Sequence, residues 1–185
     1  MVILIGGTTH VGKTSLAQKL LEKYKIPYLS IDHIKMGIYR GWPECGFTPE
    51  SKDEIITKKI WSIIKGIIMT NIENNQNIII EGVYLPYDMN EFEQKYYSKI
   101  IYCKIGFSEE YIEKYLQTKI IRNQNIIEYR EEDCDIIMEQ YVKENKLVKE
   151  LCNKNGLKYF EINRNYGKEI KNIYKWIHAE YKKIK

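Results

Sequence analysis

The chain is poor in the residues that would place it in several common classes. It holds four cysteines in 185 residues, none in a paired C-x-x-C arrangement, which excludes a dense disulfide scaffold and argues against a zinc ribbon. Only two alanines and four arginines stand against an abundance of Ile, Lys, Asn and Tyr, so the scarce types are the informative ones. No apolar stretch is long enough to span a bilayer. The densest, from Ile55 to Ile72, is broken by Lys58, Lys59 and Lys65. The opening Met1-Val-Ile-Leu-Ile5 has no basic n-region and no cleavage site, and it is shorter than a signal h-region. Internal repeats and low-complexity segments are also missing.

What is present suits a folded domain. An apolar fraction of 44% excludes a wholly disordered chain, and the length suits one domain over residues 1–185 with a sizeable core. The net charge of +4 does not demand a nucleic-acid partner and tolerates phosphorylated ligands. The expectation is a soluble, cytoplasmic protein that acts on small molecules without a membrane.

Apolar runs alternate with helical periodicity. Strands are expected at 2–5, 28–31, 77–81, 100–105 and 157–162. Between them, Lys13 to Tyr24 places Leu16, Ala17, Leu20, Leu21 and Tyr24 on one helical stripe. Thr48-Pro49 resembles an N-cap followed by proline at the first helical position, opening a helix to about Asn74 that buries Ile56, Ile60, Ile63, Ile64 and Ile67. Gly37 to Pro49 reads as a shaped loop or broken helix. Ser108-Glu-Glu-Tyr111 carries capping chemistry, Asp133 to Cys152 is helical, and the last helix sets Ile170, Ile173, Ile177, Tyr181 and Ile184 at helical spacing. The alternation implies an α/β sheet covered on both faces, with ligands at the carboxyl ends of its strands.

One motif carries chemistry directly. Gly7-Thr8-Thr9-His10-Val11-Gly12-Lys13-Thr14 matches G-x-x-x-x-G-K-[ST] between a strand and a helix. Its glycines let backbone N–H groups turn toward phosphate oxygens, and the helix N-terminus adds partial positive charge. Lys13 is placed to reach the β- and γ-phosphates and the Thr14 hydroxyl to ligate Mg²⁺, with Ser15 as a weaker helper. His10 is either a phosphate contact or a spacer. A small GTPase is excluded, because Asn153-Lys154-Asn155-Gly156 lacks the aspartate of a base-reading motif and precedes a strand.

Beyond the loop, the sequence resembles the small phosphate-loop kinases over nearly its whole length. The resemblance rests on Gly7 to Thr14, Ser30-Ile-Asp32-His-Ile-Lys35, Ile78-Ile-Ile-Glu81-Gly82 and the Arg-bearing stretch Lys119 to Arg130. It is closest to the 2-phosphoglycerate-kinase and zeta-toxin-like group, in which an aspartate after the second strand is followed three residues on by a basic residue. Polynucleotide 5′-hydroxyl kinases share that arrangement. Adenylate kinase is more distant: its Gly-Phe-Pro-Arg is replaced here by Gly82-Val-Tyr-Leu-Pro86, which removes the arginine that grips a monophosphate.

The resemblance implies a five-stranded parallel sheet in the order 2-3-1-4-5, helices on both sides, and a small helical lid at about 115–133. It also implies ATP and Mg²⁺, with transfer of the γ-phosphate to a hydroxyl of a small metabolite or nucleotide-like acceptor. Asp32 is then the base that takes the hydroxyl proton, or an N-cap of the helix from His33, or both. Lys35 neutralises an acceptor phosphate, pairs with Asp32 or is solvated. Glu81 holds Mg²⁺ through water, binds the acceptor, or is an exposed strand-end acid. Arg122 and Arg130 flank the lid, where a guanidinium matches the charge of the transferring group, or they form an ordinary basic surface. Arg40 lies in the acceptor region, where it either grips an anionic or planar substrate or belongs to a packed loop, and Arg164 lies where adenine lodges and a guanidinium can stack on the base. Two other readings keep Lys13 and Thr14: an ATP-dependent regulatory protein, and a toxin that phosphorylates a nucleotide-sugar.

Overall fold

A computed structural model describes residues 1–123 and 136–184. Five strands, β1 (Val2–Gly7), β2 (Tyr28–Ser30), β3 (Ile78–Glu81), β4 (Ile100–Phe107) and β5 (Lys158–Ile162), form one parallel sheet in the order β2-β3-β1-β4-β5. This is the order expected. Seven α-helices among the described residues cover it: α1 (Lys13–Tyr24), α2 (Ile31–Gly41), α3 (Asp53–Glu73), α4 (Gln94–Tyr97), α5 (Glu109–Tyr115), α6 (Met138–Lys154) and α7 (Tyr166–Ile184). After α5 the chain winds through a π-helical turn, Leu116–Ile120, and a 3₁₀ turn, Ile121–Asn123. No helix among the described residues is long and apolar enough to cross a membrane.

The central strands read as continuous apolar runs because both of their faces are buried. Along β1, Ile3 and Ile5 face a core shared with Leu16 and Leu20 of α1, Ile112 of α5 and Ile173 and Ile177 of α7. Val2 and Leu4 face the opposite core, formed with Ile31 of α2 and the α3 isoleucines. Each fully buried isoleucine contributes about 1.5–3 kcal/mol of transfer free energy.

Four local expectations are corrected. The chain from Gly37 to Gly41 is helical, because Ile31, Ile34 and Ile38 of α2 pack on the α3 side of the sheet and that burial outweighs the glycine cost. Thr48-Pro49 does not cap α3. Thr48 N–H donates to Ser51 Oγ (2.9 Å) and Ser51 N–H to the Thr48 carbonyl (3.1 Å), a closed turn that delays the helix to Asp53. The buried stripe of α3 recurs every fourth residue, Ile56, Ile60, Ile64, Ile68 and Ile72, which leaves Ile63 38% exposed. Ile136 and Ile137 are not helical, and α6 begins at Met138. The short α4 had no counterpart in the sequence reading. The cap at Ser108 is as expected, with Oγ accepting from Tyr111 N–H.

Candidate active site

Because the sheet is parallel throughout, Gly7, Ser30, Glu81 and Ile162 end their strands on one edge. The loop from Thr8 to Gly12 turns back there. Gly7 (φ 136°) lies so close to the Ile105 carbonyl that any Cβ would overlap it. Gly12 (φ 85°) opens α1 from the left-handed region, and a Cβ there would overlap Tyr166 Oη. His10 is also left-handed at φ 58°. Lys13 is buried, with Nζ donating to the Thr8 carbonyl at 2.7 Å, while Ser15 is half-buried in the first turn of α1.

The loop is also held from behind. Tyr141 Oη donates to the Thr9 carbonyl at 2.6 Å and Tyr166 Oη to the Val11 carbonyl at 3.3 Å. Thr8 Oγ1 donates to Asn145 Oδ1 at 2.9 Å. That same oxygen accepts from Phe107 N–H, and Asn145 Nδ2 donates to the Tyr141 carbonyl, both at 2.8 Å. Asn145 is 2% exposed and uses both ends of its amide, as a buried polar group must. Sequence reasoning missed all three residues. Spacing puts Tyr141 and Asn145 on one helical face but does not say what that face meets.

Next to the loop, Thr14 Oγ1 donates to Glu81 Oε1 at 3.2 Å. Glu81 is 2% exposed, so it is not a solvent-facing acid at the end of a strand. Burial pushes its carboxyl up from the usual range, Lys13, Ser30 and Thr14 pull it back, and Asp32 adds to the rise.

Asp32 lies inside the first turn of α2, and the cap position belongs to Ser30, so the N-cap reading of Asp32 does not hold. Its carboxylate pairs with Lys35 Nζ at 3.4 Å, and Lys35 donates in turn to Tyr84 Oη at 3.0 Å. Lys35 is therefore held rather than solvated. Burial lowers its pKa, but Tyr84 and Asp32 outweigh that effect and leave it above the ordinary lysine value. Asp53, in the first turn of α3, shares this field. Crowding by protein atoms raises its carboxyl although the side chain is exposed, Lys35 and then Lys13 oppose the rise, and Asp32 reinforces it. Neither Tyr84 nor Asp53 stood out in the sequence, the second because α3 was expected to start four residues earlier.

The arginines are more scattered. Arg40 is exposed near the C-terminal end of α2, and Arg122 is exposed in the 3₁₀ turn after α5. Arg164 is exposed between β5 and α7, its N–H directed at Glu169. Arg130, and the expected lid from residue 124 onward, lie outside the described residues. Among those described, no group of three His, Cys, Asp or Glu side chains gathers as metal ligands. The neighbouring oxygens of Thr14 and Glu81 are nonetheless hard donors of the kind Mg²⁺ takes.

Beneath the site lies a lysine that sequence reasoning passed over. Lys104 of β4 is 1% exposed, and its Nζ donates to the Leu85 carbonyl at 2.7 Å and sits 3.6 Å from the Tyr87 ring centroid. Burial lowers its pKa to about 7, with Cys152 opposing the shift and Lys13 adding to it.

The sheet order, with a phosphate loop between its central strand and the first helix, defines the phosphate-loop kinase fold. Solved structures share it. Shikimate kinase from Aquifex aeolicus superposes with a TM-score of 0.55 at 15% identity, over 98% of each chain. Deoxyadenosine kinase from M. mycoides, with dCMP and dCDP bound, gives 0.52 at 17% identity over 97% of this chain and 100% of its own. The YorR protein from Bacillus subtilis, in complex with phosphorylated GDP, gives 0.55 at 15% identity over 98% of each chain. No family model matches the chain, and no curated protein matches it in sequence.

Proposed function

We propose that this protein is an ATP-dependent kinase that transfers the γ-phosphate to a hydroxyl of a small-molecule acceptor. One observation carries the reading: Lys13, Thr14, Glu81 and Asp32 come from three separate parts of the chain and share one electrostatic field at the carboxyl edge of the sheet. Kinases of two small molecules, shikimate and deoxyadenosine, share the fold and support it.

In this reading the loop amides and Lys13 cradle the phosphates. Thr14 and Glu81 would hold Mg²⁺, which offsets phosphate charge when bound. Asp32 accepts the proton of the acceptor hydroxyl while the new O–P bond forms and the γ-phosphorus separates from the β-phosphate oxygen, leaving ADP. Lys35, fixed between Asp32 and Tyr84, keeps that carboxylate aimed. Arg122, Arg130 and Arg164 are proposed to touch the nucleotide, and Arg40 the acceptor.

The test is transfer of label from [γ-³²P]ATP into a broad metabolite pool, with the product identified by mass. Asp32→Asn should retain ATP affinity and lose about 10²–10⁴-fold in transfer rate. Equal rates in variant and wild type would refute the assigned base. ATP binding with no transfer to any acceptor would favour the regulatory alternative.

A further inference from the structure

Two hydroxyls behind the phosphate loop have a consequence for what the loop presents in front. A peptide unit is planar and trans, so its N–H points away from its carbonyl. Drawing the Thr9 carbonyl toward Tyr141 Oη of α6 therefore turns the His10 N–H to the opposite side. Tyr166 of α7 does the same to the Gly12 N–H through the Val11 carbonyl. Amides turned to one side make an anion-binding concavity, and this one adjoins the N-terminus of the 12-residue α1.

We propose that Tyr141 and Tyr166 are positioning residues of the nucleotide site: two hydroxyls outside the loop that aim its amides at the phosphates. The inference rests on the reading of the loop as a nucleotide site. Both side chains are anchored for the task. Tyr141 is 3% exposed, and its own carbonyl is gripped by Asn145, whose amide oxygen takes the Thr8 hydroxyl. The Tyr166 ring packs 6.4 Å from that of Phe107, and its hydroxyl fits only because Gly12 has no Cβ. Burial holds Tyr141 well above the ordinary phenol value and Tyr166 at about 12, so both remain donors at every pH at which the protein would work.

Tyr141→Phe and Tyr166→Phe keep the rings and remove only the hydroxyls. Isothermal titration with ATP, and separately with inorganic tripolyphosphate, reads the effect with and without a base and ribose. Each variant should weaken both ligands by the same factor, roughly fivefold to tenfold for one lost hydrogen bond. The double variant should weaken them further. Melting curves without ligand identify any variant that fails to fold, and the other, on a different helix, then carries the test. Wild-type affinities for both ligands in the folded variants would overturn the proposal and leave the nucleotide reading standing. So would a loss confined to ATP, since the hydroxyls would then act at the base. A wild-type protein that binds neither ligand would overturn the nucleotide reading and the proposal with it.

Discussion

At the scale of single residues, burial displaces the Lys104 amine into the neutral range. Its displacement from 10.5 to about 7 corresponds to about 5 kcal/mol against the charged form. Between those two values the unfolded chain binds a proton that the folded chain does not, so wild-type stability rises with pH across the window. A Lys104→Met variant lacks this dependence but leaves the Leu85 carbonyl without its donor, at a cost of about 1–3 kcal/mol. The stability of the variant relative to wild type should therefore be most favourable near pH 6 and decline toward pH 10. Urea midpoints of both proteins at the two pH values measure this, and a difference independent of pH would contradict the placement of the amine. The amine also has a structural part: it fastens the chain beyond β3, which carries Tyr84 to Lys35 and so to Asp32.

At the scale of elements, α3 shows how a helix face is chosen. Isoleucines are so frequent from Ile55 to Ile72 that apolar periodicity alone admits neighbouring stripes. Packing selects the line of every fourth residue and turns Ile63 outward. Ile64→Ala should cost about 2–5 kcal/mol by leaving a cavity. Ile63→Ala, one residue away, should stay within about 1 kcal/mol. Chemical denaturation of the two variants distinguishes the faces, and equal losses would mean the stripe lies elsewhere. Elements with local signals were the legible ones: α1 starts and stops where its sequence says, and the Ser108 cap holds as read. The start of α3 was misread because Pro49 is a helix-start residue in general, whereas here Thr48 and Ser51 bond each other first.

At the scale of the whole molecule, the candidate site draws on β1, β2 and β3 and on α1, α2 and α3, with α6 and α7 behind. A ligand seated there binds the folded state alone and stabilises it by mass action, about 2.7 kcal/mol at a hundredfold excess over its Kd. Thermal unfolding with Mg²⁺ and saturating ATP should show a raised Tm for wild type and little rise for Lys13→Ala. An equal rise in both would place the nucleotide away from the loop.

The phosphate loop was written locally: eight consecutive residues, with a strand before and a helix after, supply its glycines, its lysine and its threonine in the order the loop needs. Parallel pairing was likewise implied by the alternation of strands and helices, since the buried apolar runs of β1, β3 and β4 are stable only when covered on both faces. The residues that finish the site were beyond that reach. Tyr141 meets Thr9 across 132 positions and Tyr166 meets Val11 across 155. Lys104 is buried and Asp53 shares the field of Asp32 only because sheet and helices close around them. Contacts of that span depend on which helix face the core claims, and that choice is made by packing in three dimensions rather than by any neighbouring stretch of chain.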